Sequence, residues 1–327
     1  MPHLRLLSSG IVFLLLASSV CYGQTQLNVG PYVGAHFGEI GYKSEGIFNR
    51  SLGVSLGSEL IFPLDFAIVG LEAQYHVLKE GRRDWLFRLK GGIGVTDPGG
   101  KFTDRDWFAF PPGLETNWSY SESNVEGNSI HLELQAAKVI TASTYLELSL
   151  FAGLGYQKFS QDAVDLLVGR FVGNVVDTFF FDSGSRTGLS LTYDVYFINP
   201  VLGLAPRLAI SPSVTLSGQA AYTPLLYVND EDNHVLRFFT VKSSGRGRGF
   251  FSELNLRVDV GPREGSNRPF FELFGGFSSV HADLGATVEF YDDEPSGDFK
   301  KGDRIINDPH VISGHQLQVE VKLGWPL

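Results

Sequence analysis

The chain has 327 residues, a net charge of −10 and a single cysteine, so neither disulfides nor thiolate metal sites can hold it together. The acidic balance argues against a nucleic-acid surface. With 38 glycines, 13% aromatic residues, only 19% charged residues and no sustained helical period, the composition favours an all-β chain stabilised by backbone pairing and packing.

Residues 1–23 read as a signal peptide: Arg5 gives the positive start, Ile11 to Ala17 the apolar run and Ser18 to Gly23 a small-residue exit. The run is too short to span a bilayer as a helix. Cys21 would leave with it, and Val20 disfavours a lipoprotein site there. Residues 24–327 are expected to form one domain.

Leu52 to Phe62 and Ala67 to Leu78 read as a hairpin about Pro63-Leu64-Asp65, and Trp85 to Val95 as a further strand. From His131 to Lys138, Leu132, Leu134 and Ala136 oppose His131, Glu133 and Gln135. From Gly249 to Val260, Phe250, Leu254, Leu256 and Val258 oppose Glu253, Asn255, Arg257 and Asp259. From Gln316 to Leu323, Leu317, Val319, Val321 and Leu323 oppose Gln318, Glu320 and Lys322. Repeated apolar-out, polar-in segments are the pattern of a membrane-spanning barrel with a wet interior. Short turns at Thr141-Ala142-Ser143, Ser211-Pro212-Ser213 and Gly261 to Arg268 alternate with polar stretches near 96–128, 161–187, 229–247 and 290–314, expected as extracellular loops. The expected fold is an antiparallel transmembrane β-barrel of ten strands in a bacterial outer membrane, with twelve as the alternative. The segment 85–95 upsets the count: it is either part of a tall extracellular wall or an extra strand.

Two acidic clusters sit 128 residues apart (232 − 104): Asp104-Arg105-Asp106-Trp107 and Asp230-Glu231-Asp232-Asn233-His234. A hydrolase without a nucleophilic side chain needs a base to deprotonate water and a group to polarise or protonate the amide. In an extended chain Asp232 and His234 share a face, and a carboxylate held against imidazole fixes its tautomer and raises its basicity. Asp104 and Asp106 repeat the spacing, and two close carboxylates tend to share a proton. Ordinary rim polarity, or a calcium loop built on Asp104 and Asp106, would leave the same pattern.

Gly99 to Trp107 resembles the Asp-x-Asp-Trp segment of the omptin family of outer-membrane proteases, and Asn229 to His234 is similar to that family's Asp-x-Asp-x-His segment, at a matching interval. Weaker echoes lie at Trp118-Ser119, Ala152 to Gln157, and Gly188 to Leu204 around Asn199-Pro200, so the likeness runs from about residue 95 to the C-terminus. The resemblance implies a catalytic acidic pair at Asp104 and Asp106 and an Asp-His dyad at Asp232 and His234. It also implies cleavage beside Lys or Arg, with acidic substrate-binding groups at Asp230 and Glu39. A lipid-binding face involving Arg246 and Tyr156 follows too, with lipopolysaccharide as a possible requirement, no cofactor and a monomeric barrel. Departures are plain: Ser119 to Asn124 lack the Thr-Asp and the later Ser and His of the family, Ser160 and Tyr196 stand where arginines are expected, and the chain ends on Leu327 rather than an aromatic residue.

Gly245 to Gly249, with alternating arginines, resembles an RNA-binding repeat and is read instead as a loop base meeting lipid phosphate. Phe179-Phe180-Phe181 is read as wall packing. The remaining histidines show no shared metal-ligand spacing. Besides the protease, an inactive barrel for adhesion or surface binding and a small pore remain in play; His234 substitution and single-channel conductance separate them.

Overall fold

The structure, a computed structural model, describes residues 24–327 apart from 50–53, 81, 111–113, 173–174, 178–185, 262–267 and 294–299. The expected signal peptide and Phe179-Phe180-Phe181 lie outside the described residues. Thirteen strands are defined among the described residues: β1 (Gln24–Asn49), β2 (Val54–Pro63), β3 (Phe66–Lys79), β4 (Arg82–Gly94), β5 (Phe102–Phe110), β6 (Leu114–Ala142), β7 (Leu146–Val172), β8 (Val175–Asp177), β9 (Arg186–Ser211), β10 (Val214–His234), β11 (Phe239–Asp259), β12 (Phe270–Phe290) and β13 (Arg304–Pro326).

All pairings are antiparallel and the sheet closes on itself, with β1 bonded to β13 and β6 to β7. The lower half of β1 pairs with β3 (Asn28 opposite Gln74) and its upper half with β2 (Tyr42 opposite Leu60). In the same way β6 pairs below with β4 (Leu134 opposite Leu89) and above with β5 (Ser121 opposite Asp104). So β2 with β3, and β4 with β5, each form one wall strand interrupted at mid-height, and the ring has ten strand positions. The short β8 hangs on the upper end of β7. The segment 85–95 is the membrane half of a tall wall, and Asp104 lies above it on the same rising course.

Pro63-Leu64-Asp65, expected as a strand-linking turn at the barrel's end, is this mid-wall interruption. Proline has no N–H to give to the ladder. The break is tied instead by Leu64 N–H donating to Gly38 O (2.8 Å), Gly38 N–H donating to Asp65 Oδ1 (2.9 Å) and Gln161 Nε2 donating across the lumen to Pro63 O (2.7 Å). A second irregularity falls at Thr223 to Leu226 of β10, around Pro224.

Much of what was expected as extracellular loop is strand. β6, β7, β10 and β11 run on into the polar stretches, and β10 and β11 are joined by only four residues, 235–238. Above the membrane the outer face meets water, so polar residues occupy both faces and the period-two signal disappears. Gly245 to Gly249 likewise lies inside β11. A Cβ at Gly245 or Gly247 would approach the carbonyl oxygens of Asp283 and His281 at 2.2 and 2.1 Å, which explains the glycines by close contact with β12.

Around the lower ring, Leu71, Leu132, Leu150, Leu202, Leu254 and Leu317 are each half or more exposed on the outer face. In water this belt would be costly; against hydrocarbon it is the stable arrangement. Inside the same belt, Arg88 meets Glu253 (2.9 Å), Glu72 (3.2 Å) and Glu133 (3.5 Å), Lys90 meets Glu320 (2.7 Å), and Lys322 bridges Glu72 and Glu272 (2.5 Å each). Buried charges persist only when paired, so this network is both filler and cross-brace. Above it, Ile40, Phe62, Phe66, Phe102, Phe159 and Tyr193 form an apolar layer, with Phe62 stacked on Tyr193 at 4.0 Å. That layer is the floor of the upper cup.

Candidate active site

The two acidic clusters are on facing strands of the cup, not on loops. Asp104 and Asp106 point inward from β5, between Leu60 and Ser58 of β2 and Ser121 and Ser119 of β6. Ser58 Oγ donates to Asp104 Oδ1 (3.2 Å) and Ser119 Oγ to Asp106 Oδ2 (2.6 Å). A bulge between Asp106 and Trp107 allows both consecutive side chains to be buried. Trp107 lies over Gly57, where a Cβ would come within 2.2 Å of the indole. Lys43 and Arg105 cover its ring at 5.1 and 5.6 Å. This packing fixes β5 against β2, and with it the carboxylate pair.

On β10, Asp230, Asp232 and His234 alternate inward as period two requires. His234 Nε2 lies 2.8 Å from Asp232 Oδ2, Asp232 is 1% exposed, and the imidazole stacks on Phe239 at 4.3 Å. The carboxylate and the aromatic ring together hold the histidine in one orientation. Asp104, Asp106 and His234 line one cleft of about 210 Å³, with Ser119, Ser190 and Arg237 among its other walls.

Burial, followed by the charge of Asp106, pushes the Asp104 carboxyl up to about 6. Two like charges this close in a poorly hydrated cleft resist simultaneous ionisation, which puts Asp104 near the point of gaining or losing a proton at neutral pH.

Asp230 sits deeper, also 1% exposed, with Ser243 opposite it on β11 and no cation paired with its carboxyl among the described residues. Burial and the neighbouring charge of Asp232 push it up to about 8. Around it are Tyr193, whose hydroxyl has no hydrogen-bond partner among the described residues, and Ser243, whose Oγ is 3.3 Å from His310 Nδ1. His310 in turn contacts the Tyr42 hydroxyl. The second substrate-binding group expected from the sequence does not join it. Glu39 is exposed on the outer face of β1, while Ile40 and Tyr42 of that strand point inward. The strand's period of two puts an odd-numbered residue here on the wrong side, and the inward positions carry no acid. Arg246 and Tyr156 both lie on the outer surface, linked by a row of rings in which Tyr156 meets Tyr196 (6.2 Å), Tyr196 meets Tyr227 (6.3 Å), and Tyr227 is paired with Arg246.

Sequence reasoning missed Ser58, Tyr42, Tyr193, Ser243, His310 and Arg237. Ser58, Tyr42, Tyr193 and His310 come from strands remote in sequence from the clusters, Ser243 from the returning strand of the same hairpin, and no local motif marks them. Arg237 stands only three residues after His234 and was open to notice as a cation beside an acidic cluster.

No curated protein matches the chain. Among solved structures, the outer membrane protease OmpT from Escherichia coli is similar over 92% of this chain and 97% of its own, with a TM-score of 0.72 and 14% identity, which establishes the fold. The translocator domain of the autotransporter NalP from Neisseria meningitidis (TM-score 0.34, 14% identity, 97% of this chain and 95% of its own) and OprG from Pseudomonas aeruginosa (0.27, 9%, 91% and 96%) are too distant to compare in detail. The Omptin family matches residues 58–262, more than half of the chain and a span that contains both acidic clusters. A tall ring shared with an outer-membrane protease and a family match across both facing clusters lead to one conclusion: this chain belongs to the omptin family, outer-membrane β-barrel proteins of the protease class.

Proposed function

We propose that the protein hydrolyses peptide bonds beside Lys or Arg, using water activated at the cleft between β5 and β10. The observation that carries this reading is the 2.8 Å Asp232–His234 contact facing the Asp104–Asp106 pair across a single cleft. With Nε2–H donated to Asp232, His234 Nδ1 is left as the base. Asp104, near its ionisation point, holds the water with Asp106, which Ser119 orients. Water loses a proton to His234 as its oxygen bonds to the carbonyl carbon, and the π electrons move to the carbonyl oxygen. Collapse then breaks the C–N bond, and the departing amine takes the proton back from the imidazolium.

Asp230 supplies the preference for basic side chains. A buried acid without a paired cation is unstable as an anion until one reaches it, and a substrate ammonium or guanidinium provides that charge. Arg246, Tyr156 and the tyrosine row between them form the face toward lipid head groups. The barrel acts as a monomer without a cofactor, and residues 1–23 are a cleaved signal.

The test is cleavage of a mixed peptide library by the refolded protein, with and without lipopolysaccharide, beside His234→Ala, read by mass spectrometry. Cuts next to Lys or Arg that vanish in the variant support the reading. An absence of His234-dependent cuts in both lipid conditions overturns it in favour of a binding barrel.

A further inference from the structure

Among the described residues lining the cleft, Arg237 is the only lysine or arginine. Its mounting is rigid. The N–H groups of Arg237 and Phe238 both donate to His234 O (3.1 and 2.9 Å), closing a tight turn directly on the strand that carries the histidine. Phe238 takes the left-handed conformation (φ 61°) that this turn needs. The turn is fixed from the neighbouring hairpin, where Tyr291 N–H donates to Phe238 O (2.9 Å) and the two rings meet edge to face at 6.1 Å.

The arginine side chain is not committed to a structural role. It is 50% exposed, and its Nη2 stands 3.9 Å from Asp106 Oδ2. An exposed contact of that length contributes little to stability. The guanidinium can therefore turn toward a bound peptide without breaking a strong bond. Amide hydrolysis needs such a group, because negative charge builds on the carbonyl oxygen and donors aimed at it are commonly the largest single source of rate enhancement. The carboxylates here are the wrong sign, since Asp104, Asp106 and Asp232 all oppose an oxyanion, and the proton that His234 gains is committed to the departing amine.

Resting on the proteolytic reading of this site, we propose that Arg237 is a catalytic residue that donates from its guanidinium to the scissile carbonyl oxygen as that oxygen becomes negative. Its planar fork and permanent charge suit the task better than a lysine ammonium.

The experiment compares wild type, Arg237→Ala, Arg237→Lys and His234→Ala as full-length refolded barrels, each with its heat-modifiable gel mobility checked, on a peptide with a single basic residue. Arg237→Ala is expected to lose roughly 100-fold in kcat with KM nearly unchanged, the signature of an interaction made only in the transition state. Arg237→Lys should recover part of the loss, and added guanidinium ion should raise kcat in Arg237→Ala but not in His234→Ala. Unchanged kcat in Arg237→Ala overturns the assignment. So does a fall in KM for basic peptides, which would instead make the arginine an internal competitor of the substrate's basic side chain. Wild type that cuts no peptide sinks the proteolytic reading itself, whereas wild type that cuts beside an equally active Arg237→Ala sinks only this assignment.

Discussion

Asp230→Asn should make the barrel more stable while weakening its selectivity, and the size of the gain follows from the carboxyl's surroundings. An ordinary aspartate releases its proton near 3.8, whereas Asp230 in the fold is pushed up to about 8. Below pH about 4 both folded and unfolded chains keep the proton, so burial of this group costs little extra. As pH rises from about 4 to about 8, the unfolded chain gains from ionisation while the folded one does not, and stability falls by about 1.4 kcal/mol per pH unit. At pH 7 the accumulated loss is about 4 kcal/mol. Asparagine has the same shape and no charge to bury, so Asp230→Asn should escape most of that loss. The assay is urea unfolding in lipid vesicles across pH 4 to 8, followed by tryptophan fluorescence. Wild type should show a midpoint that falls toward pH 8 relative to the variant, with the two converging near pH 4. Parallel curves across the whole range would refute the argument that Asp230 is buried without a counter-charge.

Activity should fall on the acid side as Asp104 takes up a proton near pH 6, because the carboxylate is the form that holds water; Asp106→Asn removes the like charge and should move the limb of the kcat/KM profile to lower pH. Arg88→Met leaves Glu72, Glu133 and Glu253 facing one another without their shared cation, and the urea midpoint should drop by an amount equivalent to about 3–5 kcal/mol. Gly57→Leu drives a side chain into the indole of Trp107, and kcat should fall at least about tenfold as β5 shifts, since small misplacement of reacting groups is expensive. The braced lumen should give no steady single-channel conductance in planar bilayers; stable openings in wild type would show that the Arg88 and Lys90 networks do not close it.

The barrel was legible wherever strands cross lipid, because there the environment differs on the two faces and Leu317 to Leu323 can alternate against Gln318 to Lys322. It was obscured above the membrane, where both faces are polar: β5, the upper part of β6 and the β10–β11 hairpin look like loops in sequence and are strands in the fold. The two clusters could be found because Asp232 and His234 carry their geometry in a two-residue spacing. Their meeting across the cup depends on closure of the ring, which no local pattern encodes. Glu39 failed for a related reason. Its chemistry suits a cationic substrate, but the inward positions of β1 are those of Ile40 and Tyr42. Glu253 and Lys322 could be read as inward-facing, but their ion pairs could not, since Glu72, Arg88, Glu253 and Lys322 come from four different strands.

A proline stands below each acidic cluster: Pro63 at the mid-wall break beneath the β2–β5 pair, and Pro224 at the bulge of β10. In an unbroken ladder, sliding by one residue would exchange every inward side chain for an outward one. An interruption absorbs such a slip locally, so at these two walls the upper rows can keep their facing, while the β11–β12 ladder runs through unbroken. A residue inserted into β10 beneath Pro224 should therefore leave Asp232 and His234 facing the cleft and cleavage largely intact, whereas one inserted between Leu226 and Asp230 should turn the dyad toward solvent and abolish it. The two breaks, on this view, act as local stops: an error of register made in the lipid-facing part of these walls ends at the proline and does not reach the carboxylates above it.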